Sequence, residues 1–482
     1  MERRRGSASA LPLARWLALA VHVTSCTAAA PRGAAPAGGQ HAFAFVGVSV
    51  LPMTRGDTVL HDQTVVVRSG LISVVGAARS VSVPAGAIRI DGRGQYLMPG
   101  LVDAHVHLEY FDDPGVLALF VANGVTTVRN MDGRPYLLDW KRRISTGELI
   151  GPAIYTAGPI LDGEPPLRDD NTVVKDSSEA RAAVTAQKSA GYDFVKVYAG
   201  MSPDAYRAVL STARELGMPV AGHVPRRLTL AEVLQARQHS IEHLMDFDEL
   251  VEADSSSVRG RFHWSKLYLA MAADSARVAA AARLAASSGV WIVPTMVQAE
   301  RAVAQSDSIR AWLATPEAAF IPADGRALWE QQAMRAAARM DSADWRIVER
   351  GRGNRRDLLR ALHASGARIA VGTDTPNAFV VPGFSVYEEL SLFVQAGVSP
   401  RNALIAATRE TAHLLGAGDS VGTVERGKRA DLVLLPGNPL LDLRTVRRPT
   451  GVMLGGRWLP SNELDAMLQR QRGRDTLRTG GS

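Results

Sequence analysis

The 482-residue chain has room for one large domain and a smaller one, and its 46% hydrophobic and 21% charged content is ordinary for a globular protein. Its net charge of +7 is mild, and Arg3, Arg4, Arg5 and Arg15 against Glu2 account for +3 of it. No dense basic stripe remains, which argues against nucleic acid as a partner. The single cysteine, Cys26, excludes an internal disulfide.

The amino terminus reads as an export signal. A basic start is followed by the apolar run Trp16–Val23, too short to span a bilayer, and then Val23-Thr24-Ser25-Cys26. This resembles the lipobox of bacterial lipoproteins, in which the cysteine becomes the lipidated first residue. Residues 1–26 are therefore expected to be a lipoprotein-type signal peptide, and the protein to be exported as a periplasmic or outer-membrane lipoprotein. The alternative is an ordinary signal cut after Ala28-Ala29-Ala30, and secretion. No other apolar stretch is long enough for a span, so membrane contact is expected only through that lipid. Residues 27–41, rich in Ala, Pro and Gly, predict a flexible tether.

From 42 to 95, short apolar runs such as Phe45–Leu51, Thr64–Arg68 and Ile72–Val75 are punctuated by Gly, Pro and Asp, which is strand-and-turn texture. The same texture returns over 416–460. The two flanks predict one small β-sandwich domain built from both ends, followed by a carboxy-terminal tail over 461–482. Between them, over 96–415, strand-like runs alternate with helix-like ones. The strands are Tyr96–Val106, Val125–Asn130, Ala153–Ala157, Phe194–Tyr198, Pro219–His223, Ser240–Leu244, Trp291–Met296 and Arg368–Thr373. Eight strands with intervening helices, such as Ser177–Ala190 and Pro203–Leu216, predict an α/β architecture, a (β/α)8 TIM-type barrel. Residues 300–355 exceed what a barrel needs and predict a helical insert over its mouth.

Catalytic groups of such barrels sit at the carboxy-terminal ends of strands. In Asp103-Ala104-His105-Val106-His107, residues two apart share a face, so His105 and His107 can present two imidazoles to one metal ion. Four further ligand candidates end later strands: Lys196, His223, His243 and Asp374. Val195 and Val197 would face the helices and leave Lys196 inward. Burial there lowers the ammonium pKa and favours the neutral amine, which can take up carbon dioxide and become a bridging carbamate. His223 and His243 read as ligands of a second ion. Glu242, next to His243, is expected to face the opposite way. Asp374 can bind the first ion and accept a proton from water. No Gly-x-Ser-x-Gly elbow is present, which disfavours a serine hydrolase.

These residues resemble the amidohydrolase superfamily, nearest to its imidazolonepropionase-like and Xaa-Pro dipeptidase-like members. The resemblance spans about 42 to 459. It is carried by Leu97-Met98-Pro99-Gly100-Leu101-Val102-Asp103-Ala104-His105-Val106-His107, Phe194-Val195-Lys196-Val197-Tyr198, Gly222-His223, Glu242-His243, Gly372-Thr373-Asp374 and the return Gly422–Val433. It implies two divalent metal ions, with zinc the expected metal. His105, His107 and Asp374 would hold the more buried ion, His223 and His243 the more exposed one, and carbamylated Lys196 both. It also implies hydrolysis of a carbon–nitrogen bond in a small amide or peptide, such as a dipeptide or N-acyl amino acid. A metal-bridging hydroxide would attack, Asp374 would move the proton, and Tyr198 would donate a hydrogen bond. A cyclic-amide hydrolase is the alternative, and a non-catalytic lipid-anchored binding protein a more distant one. Whether the chain forms a homo-oligomer stays open. The chain departs from relatives at Asn130, where they carry Asp after Arg129, and at Tyr387, where they carry His.

Overall fold

The computed structural model describes residues 41–56, 59–253 and 273–472. The expected signal peptide, Cys26, and all but the last residue of the expected tether lie outside the described residues. No helix of the described residues is long and apolar enough to cross a membrane.

Both flanks build the small domain. One hydrogen-bonded sheet runs, in spatial order, through Arg457–Pro460, Gly451–Leu454, Leu432–Leu435, Tyr96–Pro99, Phe43–Val50, Leu60–Arg68 and Leu71–Ala77, with Ile88–Asp91 also along Phe43–Val50. Four strands at about 4.8 Å spacing would put Trp458 roughly 19 Å from Phe45 in a flat sheet. Their rings are 5.3 Å apart, edge to face. The sheet is therefore folded over on itself, and bulges on either side of Val48 give Phe43–Val50 the bend. The enclosed core takes Phe45, Val50, Val65 and Ile72 from the first flank and Leu432, Leu434 and Met453 from the second. Tyr96–Pro99, expected to open the barrel, pairs instead with Leu432–Leu435 in this sheet. The barrel begins one residue later, past Gly100, where any Cβ would lie 2.0 Å from the Thr126 hydroxyl.

The eight barrel strands are Leu101–Val106, Val125–Asn130, Ala153–Thr156, Val195–Val197, Val220–Gly222, Ser240–Glu242, Trp291–Val293 and Arg368–Ile369, in the order expected. They fall into a set of three and a set of five, each parallel throughout. Parallel bridges Ala157–Phe194 and Val106–Thr375 join the two sets at both seams. Ala104 and His107 also donate backbone hydrogen bonds to Val371 and Thr375. The helices expected at Ser177–Ala190 and Pro203–Leu216 are present, the second ending at Glu215. Ser202 caps the latter by accepting from the Ala205 amide, with Pro203 at its first turn.

Two boundaries differ from expectation. The insert contains the helices Ser306–Leu313 and Ala323–Ala337, but its last part belongs to a 23-residue helix, Ser342–Ala364, that runs on to the eighth strand. An Asp341 capping box starts it, and buried Val348, Leu358, Leu359 and Leu362 continue one face past 355 without a breaker. The insert rests on the segment after Asp374, with Trp312 and Trp329 against Phe379 and Phe320 stacked on Phe384. The region expected as a tail from 461 is helical over Ser461–Gln471, because Leu464 and Met467 form an apolar stripe that is buried. This helix packs on the one over Leu117–Ala122.

Candidate metal centre

The inward strand positions carry the polar groups. Val195 and Val197 join the core under the helices, and Lys196 between them points into the barrel, 1% exposed. Its amine has no ion-pair partner among the described residues, and burial pulls its pKa down to about 8. The charges of Glu242 and Asp374 oppose that fall without cancelling it.

Four imidazoles form a chain around that cavity. His107 and His105 have ring centres 5.4 Å apart, His105 and His243 are 4.9 Å apart, and His243 and His223 are 5.1 Å apart. His105, His243 and Asp374 offer ligand atoms that all lie within 4.8 Å of one another. Asp374 Oδ1 is 3.2 Å from Nε2 of both His105 and His107, and Oδ2 is 4.0 Å from His243 Nε2. His105, His107, His223, His243 and Asp374 thus cluster at one end of the barrel, and Lys196 is buried on the inward face of the fourth strand.

The outer ring nitrogens are already committed. His105 Nδ1 donates to Glu242 Oε2 at 2.9 Å and His107 Nδ1 to Glu109 Oε1 at 2.5 Å, and His243 Nδ1 is hydrogen-bonded with the Thr295 hydroxyl at 2.6 Å. A neutral ring that donates through Nδ1 carries its lone pair on Nε2. When neutral, each ring can therefore offer its Nε2 lone pair to an ion beside the Asp374 carboxylate. His105 Nε2 is buried without a hydrogen-bond partner. Lone pairs that face a carboxylate at this range need positive charge between them, and nitrogen with carboxylate oxygen is the donor set zinc favours. Burial disfavours charge on His107, yet Glu109 and Asp374 raise its pKa to about 10. Burial also opposes charge on Asp374, yet His105 and His107 hold its carboxyl well below the usual range. His243 is pushed down to about 3, by burial first, and His223 well below the usual imidazole value, by burial and then by Lys196.

Glu242 corrects the expectation that it faces away from His243. It is fully buried inside the barrel, where Arg129 reaches both its oxygens at 2.8 Å and the Ser240 hydroxyl donates to it at 2.6 Å. Ser240 and Glu242 share the inward face, as a period of two demands. His243 shares it too because its backbone is left-handed, with φ 68°, which breaks the alternation. Asp374 and Thr295 are left-handed as well, at φ 63° and 45°, so three residues at the strand ends are held in sparsely populated conformations. Asp103 sets the approach of the first and eighth strands, accepting from the Thr373 amide and hydroxyl and from the His105 amide. Sequence reasoning missed the supporting roles of Asp103, Glu109, Arg129, Glu242 and Thr295. The i, i+2, i+4 spacing of Asp103, His105 and His107 was the one signal that pointed to any of them.

Tyr198, the other expected catalytic group, stacks on His223 with ring centres 4.3 Å apart. Burial raises its phenol to about 12, so it stays a donor. Asn130 accepts from the Leu108 amide and donates to the Asp132 carbonyl, which fixes the turn after His107. Tyr387 lies beneath the Arg447 guanidinium, 5.1 Å from the ring centre.

Known proteins agree with this architecture. Ochratoxinase of Aspergillus niger is 23% identical over 462 residues, covering 82% of this chain and 81% of that protein. The structure of bottromycin amidohydrolase is 26% identical, with a TM-score of 0.71 and 89% of each chain covered. A Bifidobacterium longum protein named as a prolidase is 26% identical, with a TM-score of 0.64, covering 90% of this chain and 99% of that one. The model of the amidohydrolase family matches residues 96–459, three quarters of the sequence and every group of the centre, and the chain belongs to that family.

Proposed function

We propose that this chain hydrolyses the carbon–nitrogen bond of a small amide, a dipeptide or an N-acyl amino acid, with two divalent ions, zinc foremost, at the mouth of the barrel. One observation carries the reading: three imidazoles whose outer nitrogens are spoken for turn their inner nitrogens on a single carboxylate. His105, His107 and Asp374 would hold one ion, His223 and His243 the other, and Lys196, as its carbamate, both. Bound there, the ions would supply water that ionises near neutral pH and would polarise a carbonyl. The resemblance to proteins named as an amidohydrolase and a prolidase supports the amide as the substrate class.

The chain's own groups divide the remaining work. Lys196, kept from full protonation by burial, offers a neutral amine that adds carbon dioxide and releases a proton. Asp374 takes the proton of the attacking water and passes it to the leaving nitrogen. Tyr198, protonated and beside His223, donates to the carbonyl oxygen. The basic start, the apolar run and Cys26 support export with a lipid on Cys26.

The test is the zinc-reconstituted protein, with and without bicarbonate, on matched panels of dipeptides and N-acetyl amino acids, read by release of free amine. Turnover that grows with bicarbonate, at two zinc ions per chain, is expected. Two zinc ions without turnover of any amide would overturn the reading.

A further inference from the structure

Beside the centre lies a polar wall with no assigned role. The turn Leu108–Tyr110 follows the first strand and sets the Tyr110 ring 6.0 Å from that of His107. Neither the Tyr110 nor the Tyr198 hydroxyl has a hydrogen-bond partner among the described residues. The guanidinium of Arg168 lies over the Tyr110 ring, 5.4 Å from its centre.

The segment that carries Arg168 is anchored. The buried Asp162 carboxylate accepts from the amides of Gly163, Leu167 and Gly200 and from the Asn171 side chain. Asp170 then grips Arg168 through Nε at 3.2 Å and Nη2 at 3.1 Å. Asp170 is itself held by Arg134 at 2.7 Å, and Arg134 pairs with Asp132. The alternation Asp132, Arg134, Asp170, Arg168 ends on a cation whose Nη1 has no hydrogen-bond partner among the described residues. Of the nearby acids, Asp132 pairs with Arg134 and Glu109 gives Oε1 to His107, while Glu109 Oε2 is buried without a hydrogen-bond partner. The Arg168 guanidinium and the Tyr110 phenol beside His107 are both donors, and such a pair suits a carboxylate.

We infer that Arg168 and Tyr110 form the subsite that binds the free carboxylate of the substrate's leaving amino acid, so the protein selects amides bearing that group over their neutral counterparts. The inference rests on the hydrolytic reading above and narrows its substrate class. Arg168 is a specificity residue, and Asp170 and Arg134 position it.

The experiment pairs each N-acetyl amino acid with its carboxamide, which keeps the scissile bond and removes the charge. Steady-state kinetics are joined to calorimetric binding of the free amino acid and its amide to the zinc-loaded protein. Wild-type protein should favour the carboxylate substrate. R168Q should raise KM for it roughly 10- to 100-fold, the weight of one charge-assisted hydrogen bond, with kcat little changed. The same variant should leave the carboxamide's KM where it was, and D170N should fall between. Calorimetry should show R168Q losing affinity for the amino acid but not for its amide. A wild-type protein that turns over both substrates equally well, or an R168Q loss equal on both, overturns the inference and leaves the hydrolytic reading standing. A wild-type protein that turns over neither removes the reading and the inference together.

Discussion

His105 and His223 present the same ring to the same cavity, yet their surroundings differ. Behind His105 stand Glu242, then Arg129 and Ser240, all inside the barrel wall. His107 has Glu109 behind it, and the backbone leading to Asp374 is tied to the first strand through Asp103. Among the described residues, the His223 ring meets the face of Tyr198 and the edge of His243 and has no hydrogen-bond partner. One half of the rim is braced by charged partners outside the cavity, whereas the other has a single hydroxyl, Thr295, on His243 and ring packing on His223. Such outer partners fix ring orientation and raise ligand affinity. The two proposed metal positions should therefore differ in affinity and rigidity, with the His105 side the stronger.

The largest effect should come from the chemistry at the braced side. Asp374→Asn is expected to retain metal but lose turnover by about 10²–10⁴-fold, the range for a displaced general base, and metal analysis beside kcat checks both halves. Near-normal rates would remove the role assigned to Asp374. Next is the brace itself. Arg129→Met leaves the Glu242 carboxylate buried without its partner, and thermal unfolding should report a loss of about 3–5 kcal/mol. Adding Glu242→Gln should return part of that loss. If it does not, the pair is not what stabilises this wall. Glu242→Gln alone should weaken the tighter ion by roughly 10- to 100-fold in a zinc competition titration. An unchanged titration would place the asymmetry elsewhere. In the native protein, a chelator should remove one ion at least about 10-fold faster than the other, with His223→Ala abolishing the fast phase only. A single phase would dissolve the distinction between the halves. The smallest effect is expected at Tyr198→Phe, where the ring still stacks on His223, and kcat should fall by about 10-fold through one lost hydrogen bond.

How much of this could be read in advance follows from geometry. The strand order and the polar groups at the strand ends were legible because each of those groups closes an apolar run, and the inward face of Val195-Lys196-Val197 follows from a period of two. The same period misled at Glu242, since it forbids neighbours from sharing a face, and only the left-handed backbone of His243 lets both turn inward. Nothing in the local pattern marks such a residue. Arg129 was visible as a residue but not as a partner, because its contacts lie 111 and 113 positions away. Glu109 and Thr295 hold rings through single hydrogen bonds and leave no periodic trace. The helix at 461–471 was legible in its Leu464 and Met467 spacing, which the basic stretch beyond it obscured.

The folded-over sheet has a consequence for how the molecule is made. Tyr96–Pro99 leaves the ribosome early, yet its hydrogen-bonding partner, Leu432–Leu435, is among the last strands synthesised. Until then an apolar strand edge stands open beside a barrel whose own eighth strand is also missing. Trimming the gene to the family match at 96–459 would not ease this passage. It would discard Phe43–Val50, Leu60–Arg68 and Leu71–Ala77, leave Leu97, Leu432, Leu434 and Met453 without cover, and yield insoluble product where the full-length chain yields soluble protein.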